Sequence, residues 1–175
     1  MTSPCIIPLP PNRVRRNYRG GAGLDRFDGR PDAADSNRPE DWIASTVEAV
    51  NPGLPRVTDE GLARLGAAGN ATLRDRLAGA PDFYLGAAHV EKHGIDLGFL
   101  VKLLDSSMRL HVQAHPTAEF AQRYLQSPYG KFETYYVLGV RPGHDPSIRL
   151  GFQRLESAAE WRRIVLEQDI AAMDS

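Results

Sequence analysis

The sequence lacks the features that define several classes of protein. Cys5 is its only cysteine, so an internal disulfide is excluded and a reducing compartment, the cytoplasm, is expected. No apolar run approaches the roughly 20 residues of a membrane span, and the N-terminus lacks the basic flank of a signal peptide. Lysine plus arginine (21) nearly balance aspartate plus glutamate (22). We therefore expect neither a membrane nor a nucleic acid as partner.

The length and the order of the predicted elements indicate one domain. A chain of 175 residues can bury one hydrophobic core but hardly two. Short apolar or alternating runs predict strands at 41–50, 99–104, 110–115, 132–140 and 148–152. Helical spacing predicts a helical insertion over 58–93 and a C-terminal helix over 155–173. This order favours a mainly β (α+β) fold, a small barrel or sandwich with helical insertions.

Two short motifs carry residues that could bind one metal ion: Gln-Ala-His-Pro at 113–116 and Gly-Lys-Phe-Glu at 130–133. In strands, the period of two would place polar side chains on one face of each segment. These side chains are His111, Gln113 and His115 in the first segment, and Lys131, Glu133 and Tyr135 in the second. If the strands are neighbours, an amide oxygen, an imidazole and a carboxylate converge, as divalent cations require. The alternative is a solvated polar face of a half-buried sheet.

Five segments, taken in order, give the chain a family resemblance. They are Tyr18-Arg19-Gly20-Gly21, Pro39-Glu40-Asp41-Trp42-Ile43-Ala44-Ser45, Phe99-Leu100-Val101-Lys102-Leu103-Leu104-Asp105, Gln113-Ala114-His115-Pro116 and Gly130-Lys131-Phe132-Glu133-Thr134-Tyr135-Tyr136. The sequence resembles the type I mannose-6-phosphate isomerases, which are metal-dependent cupins. The resemblance implies a cupin-type jelly-roll β-barrel over residues 1–175 and the interconversion of mannose 6-phosphate and fructose 6-phosphate through an enediol.

The resemblance also implies roles for individual residues. Gln113, His115 and Glu133 would bind Zn²⁺, and Lys131 would be the catalytic residue close to the sugar phosphate. Two further residues, Trp42 and His111, would border the substrate pocket. His111 stands where the family usually has a serine, and it could hydrogen-bond the substrate, replace a ligand or simply be a partly exposed strand residue.

Two further expectations concern the completeness of the barrel. The fourth zinc ligand of the family is a histidine in a Pro-Gly-rich strand downstream of the last helix, and this chain reaches Ser175 before such a segment. We therefore expect the N-terminal portion of a longer enzyme, with a barrel truncated at its C-terminus. Open strand edges of such a barrel predict a homodimer. The alternative function is a catalytically silent cupin that binds sugars or acts as an interaction module.

Overall fold

The chain consists of two compact units, Met1–Leu110 and His111–Ser175. A computed structural model describes residues 6–66, 70–154 and 157–174. Cys5 lies outside the described residues. The single cupin-type domain over 1–175, its jelly-roll fold and the homodimer stay predictions.

The first unit is built on a three-stranded antiparallel sheet. Its strands are β1 Arg13–Val14, β2 Glu40–Ile43 and β3 Val101–Leu104, with β2 in the centre. Asp41 lies opposite Arg13 on one side and Leu103 on the other. The strands predicted at 41–50 and 99–104 are thus present but shorter. Ala44, with φ 49°, leaves the extended conformation and ends β2.

The carboxylate of Glu40 is buried within this sheet, and only 1% of the residue is exposed. It accepts hydrogen bonds from the Tyr18 hydroxyl and, at 2.7 Å, from the Trp42 indole N–H. The charged groups of Arg16 and Lys102 lie 3.4 and 3.5 Å from its Oε1 atom. Burial alone would raise the pKa of Glu40, but these hydrogen bonds and charges outweigh it and lower the pKa. The ionised carboxylate therefore ties several segments of the unit together.

The ring of Trp42 packs against the backbone at Gly61. Gly61 has a φ of +92°, and a Cβ atom there would lie 2.8 Å from Trp42 Cζ3. The side-chain amide of Asn12 donates hydrogen bonds to the carbonyl oxygens of Trp42 and Gly61, at 3.0 and 2.8 Å. Only glycine meets both the conformational and the steric requirement at position 61.

The described part of the first unit contains the helices α1 Ala22–Phe27, α2 Leu73–Gly79, α3 Pro81–Leu85 and α4 Ala87–His93. Helix α2 begins with a capping box, in which the side chains of Thr72 and Asp75 each bind the other's backbone N–H. Its apolar side chains, Leu73 and Leu77, pack with Ala63 in a small buried cluster.

The predicted helical insertion over 58–93 is helical only from Leu73 onward. Residues 58–66 form turns and a bridge instead, because Asp59, Gly61 and Gly66 have positive φ angles that interrupt a right-handed helix. Residues 67–69 of the predicted insertion lie outside the described residues.

The second unit contains α5 Ala118–Tyr124, α6 Ala158–Glu167 and α7 Ile170–Met173. The single helix predicted over 155–173 is wrong as a continuous element, and residues 155 and 156 are not among those described. Gln168 ends α6 with a φ of 53°, and the Asp169 side chain then caps α7 by accepting from Ala172 N at 3.1 Å. Within the described ranges, no helix is both long and apolar enough to cross a membrane.

The strands predicted at 110–115, 132–140 and 148–152 do not form, and these described residues are irregular. Alternation defines two faces, but a strand also needs a neighbour for its hydrogen bonds and a layer for its apolar face. Phe132, Tyr136 and Leu138 are 97%, 88% and 70% exposed, so these apolar side chains do not pack in a core.

We expect Glu40→Gln to lower the free energy of unfolding at pH 7 by about 2–4 kcal/mol, because the half-buried cations Arg16 and Lys102 lose their counter-charge. The pKa of Glu40 is lowered on folding, so its contribution is present above the unfolded pKa and is lost as pH falls through the folded pKa. The variant should therefore lose less stability than the parent between neutral and acidic pH.

Urea unfolding at a series of pH values measures both effects. The control is Glu91→Gln, which changes an exposed glutamate of α4 and should alter stability by no more than about 0.5 kcal/mol. Equal stability of the Glu40 variant and this control at pH 7 would contradict the prediction.

Candidate metal centre

The chain of the second unit turns back on itself so that the two motifs meet. The backbone N–H of Lys131 donates a hydrogen bond of 3.0 Å to the carbonyl oxygen of Pro116. A Cβ atom on Gly130 would lie 2.7 Å from both this oxygen and Ala118 N. Only a residue without a side chain permits this approach. The glycine of the Gly-Lys-Phe-Glu motif thus places it directly against the Gln-Ala-His-Pro motif.

Helix α5 forms the connection between the motifs. Thr117 caps its start by accepting from Phe120 N at 3.2 Å. Ala121 is fully buried, and its carbonyl oxygen accepts from Ser127 N at 3.2 Å after Gln126 has reversed the chain with a φ of 54°. Helix α5 and the reversal that follows it therefore bring the residues after the helix close to the residues before it.

Four of the predicted site residues form one cluster. His115 Nε2 lies 3.3 Å from Glu133 Oε2. The Lys131 ammonium donates to Gln113 Oε1 at 3.2 Å and lies 3.8 Å from Glu133 Oε1. The side chains of Glu133, His115 and Lys131 are 18%, 31% and 46% exposed, so the cluster is open to solvent. Close approach of the two segments does not depend on the strand pairing that led to its prediction.

Tyr135 is a member of this cluster that the sequence prediction did not assign to the site. Its hydroxyl donates a hydrogen bond of 2.7 Å to Glu133 Oε2, the same oxygen that faces His115. The sequence pattern could have identified it, because Tyr135 follows Lys131 and Glu133 at intervals of two residues and would share their face in a strand. Tyr135 holds the carboxylate in position, as residues around metal ligands commonly do.

The two predicted substrate-binding residues have different surroundings. His111 belongs to the second unit and is exposed. Trp42 belongs to the first unit, where it is 6% exposed and lines a shallow pocket with Leu9, Pro10 and Phe27. Both assignments to a sugar site stay predictions.

The chemistry of the clustered groups fits a zinc ion. Two ligands at about 2.0–2.1 Å from a tetrahedral zinc ion lie about 3.4 Å apart. The separation of His115 Nε2 and Glu133 Oε2, 3.3 Å, is close to this value. Gln113 Oε1, a further oxygen that could bind a cation, accepts a hydrogen bond of 3.2 Å from Lys131 Nζ. Among the described residues, no group of three or more His, Cys, Asp or Glu side chains is arranged to hold a metal ion.

Comparison with known proteins gives one informative similarity. Over 72 residues the chain is 31% identical to a probable mannose-6-phosphate isomerase of Bacillus subtilis, GmuF. The match covers 38% of this chain and 23% of that protein. The chain thus spans less than a quarter of the relative's length. The similarity supports the family resemblance over part of the chain.

No family model matches the sequence. No solved structure matches it either.

Gly130→Ala should separate the two motifs, because its Cβ atom would collide with backbone atoms of residues 116 and 118 that cannot rotate away. We expect a loss of about 1–3 kcal/mol in the free energy of unfolding of the second unit. The ring protons of His115 should also shift in NMR spectra as its contact with Glu133 changes.

Gly139→Ala is the matched control, since a Cβ atom at that position meets nothing within 4 Å. It should leave both the unfolding transition and the His115 signals close to those of the parent. Identical behaviour of the two variants would refute the role assigned to Gly130.

Proposed function

We propose that this chain carries three metal ligands and the catalytic lysine of a zinc-dependent aldose–ketose isomerase acting on mannose 6-phosphate and fructose 6-phosphate. The metal ligands are Gln113, His115 and Glu133, and the catalytic residue is Lys131. The substrate assignment rests on the resemblance of the motifs and on the partial similarity to a probable mannose-6-phosphate isomerase.

One observation carries the proposal. Two contacts join the two motifs, His115 with Glu133 at 3.3 Å and Gln113 with Lys131 at 3.2 Å, and these four residues are those that the resemblance implies. A carboxylate, an imidazole and an amide oxygen can together bind a divalent cation. A solvated polar surface does not require both of these contacts between the two motifs.

The reaction moves a proton between two neighbouring carbon atoms of the sugar. A base must remove the proton next to a carbonyl group, and a positive group must stabilise the charge that develops on oxygen. Lys131 is half-exposed beside the cluster, where its nitrogen can hydrogen-bond a substrate oxygen and carry a proton. Zinc, when bound, would polarise the oxygens of the substrate. Tyr135 keeps Glu133 in position throughout.

A second candidate function is a sugar-binding module without catalytic activity. The small number of strong ligands favours it, because no group of three or more His, Cys, Asp or Glu side chains that could hold a metal is found among the described residues. An amide is a weaker zinc ligand than an imidazole, and such a site could bind a metal without turning over substrate.

Zinc binding and turnover distinguish these functions. Zinc affinity is measured by competition with a chromophoric chelator, and turnover by a coupled assay of fructose 6-phosphate formed from mannose 6-phosphate. His115→Ala and Glu133→Gln should each lower zinc affinity by about 100-fold or more and abolish turnover. His144→Ala and Glu119→Gln, which change exposed residues of the same types in the second unit, should do neither.

Each result has a definite meaning. Zinc binding with turnover supports the isomerase, and zinc binding without turnover on either sugar phosphate supports the binding module. Failure of the 175-residue chain and of all its variants to bind zinc would overturn the proposed metal centre.

Tyr135→Phe should lower zinc affinity about tenfold, because Glu133 loses the hydrogen bond that orients its carboxylate. Tyr136→Phe removes a hydroxyl from the adjacent residue, which is 88% exposed, and should leave the affinity unchanged. The same chelator competition compares the two variants. A tenfold loss in both, or in neither, would count against a positioning role for Tyr135.

A further inference from the structure

The ammonium group of Lys131 and a divalent cation have overlapping preferences in this cluster. Lys131 Nζ lies 3.2 Å from Gln113 Oε1 and 3.8 Å from Glu133 Oε1. Both oxygens belong to residues assigned above as metal ligands. The other carboxylate oxygen, Oε2, faces His115 at 3.3 Å and Tyr135 at 2.7 Å. The lysine thus places a positive charge next to both oxygens.

We propose that Lys131 is an internal competitor for the metal, and that a divalent cation which uses Gln113 as a ligand displaces the ammonium from it. This inference rests on the proposed function, since it concerns the same metal centre. A metal ion and an ammonium group cannot both occupy the space next to Gln113 Oε1, and their positive charges repel.

The position of the lysine makes this exchange physically easy. Its side chain is 46% exposed, so the ammonium can move into water without crossing the interior of the unit. A lysine side chain is a flexible four-carbon stem with a compact charge, and an exposed ion pair of this kind stabilises by only about 0–1 kcal/mol. A divalent cation, with its greater charge and several ligands, can therefore displace it.

Displacement links metal binding to the availability of the lysine. While Lys131 binds Gln113 and Glu133, its hydrogen-bonding capacity is partly used within the protein. Once the metal holds these oxygens, the ammonium is released beside the cluster and can bind an anionic or hydroxyl group of a substrate. Metal would then be required for the lysine to engage the sugar phosphate.

The first test measures zinc affinity with zinc alone as the probe. Lys131→Met removes the competitor and should bind zinc about two- to fivefold more tightly, the size expected for an exposed charge. Lys131→Arg keeps the charge and should bind no more tightly than the parent chain. Lys92→Met removes an exposed lysine of α4 in the first unit and controls for the change in net charge.

The second test follows the lysine itself. Acetic anhydride labelling with peptide mass spectrometry, in the presence and absence of zinc, compares Lys131 with Lys92. Zinc should increase the labelling of Lys131 severalfold and leave Lys92 unchanged.

The outcomes separate this inference from the metal centre on which it rests. Tighter zinc binding by Lys131→Met together with zinc-dependent labelling of Lys131 supports both. Zinc binding with equal affinity in the parent and Lys131→Met chains, or with unchanged labelling, overturns the inference and leaves the metal centre standing. Absence of zinc binding in every one of these chains overturns both.

Discussion

The close approach of Gly130 to the backbone of residues 116–118 is the constraint on which the candidate site depends. It lets Lys131 N reach Pro116 O, and it closes the loop that contains α5. The consequence is that side chains on either side of the helix face one another across a few ångströms. Electrostatic attraction contributes to the arrangement as well. The two oxygens of the Glu133 carboxylate contact an imidazole, an ammonium group and a phenol.

The first unit also contains a carboxylate that is surrounded by hydrogen-bond donors and cations. Glu40 also gathers two hydrogen-bond donors and two cations, but it is buried and its partners come from separated segments. Burial makes its charge costly unless every partner is in place, so this network specifies how the segments fit together. Glu133 is partly exposed, which leaves its partners exchangeable. The carboxylates of Glu40 and Glu133 thus differ chiefly in their burial.

The sequence predicted the contacts between residues of nearby motifs better than it predicted structure that depends on contacts between distant segments. The motifs predicted the convergence of Gln113, His115, Lys131 and Glu133, and the structure brings these residues together. Alternation around Phe132 indicated a strand, but pairing depends on a neighbour that alternation cannot specify. The left-handed conformation of Gln168, which ends α6, could not be predicted from the sequence either, because glutamine has no marked preference for this conformation. Burial of Glu40 contradicts the usual exposure of glutamate and depends on distant cations.

The short span of the site has a consequence for its assembly. The clustered side chains lie between residues 113 and 135, and a single short helix connects the two motifs. The chain entropy lost on closing so short a loop is small, and contacts of low sequence separation form quickly during folding. The ligand cluster can therefore organise early, from local information, before the more distant contacts of the chain are made.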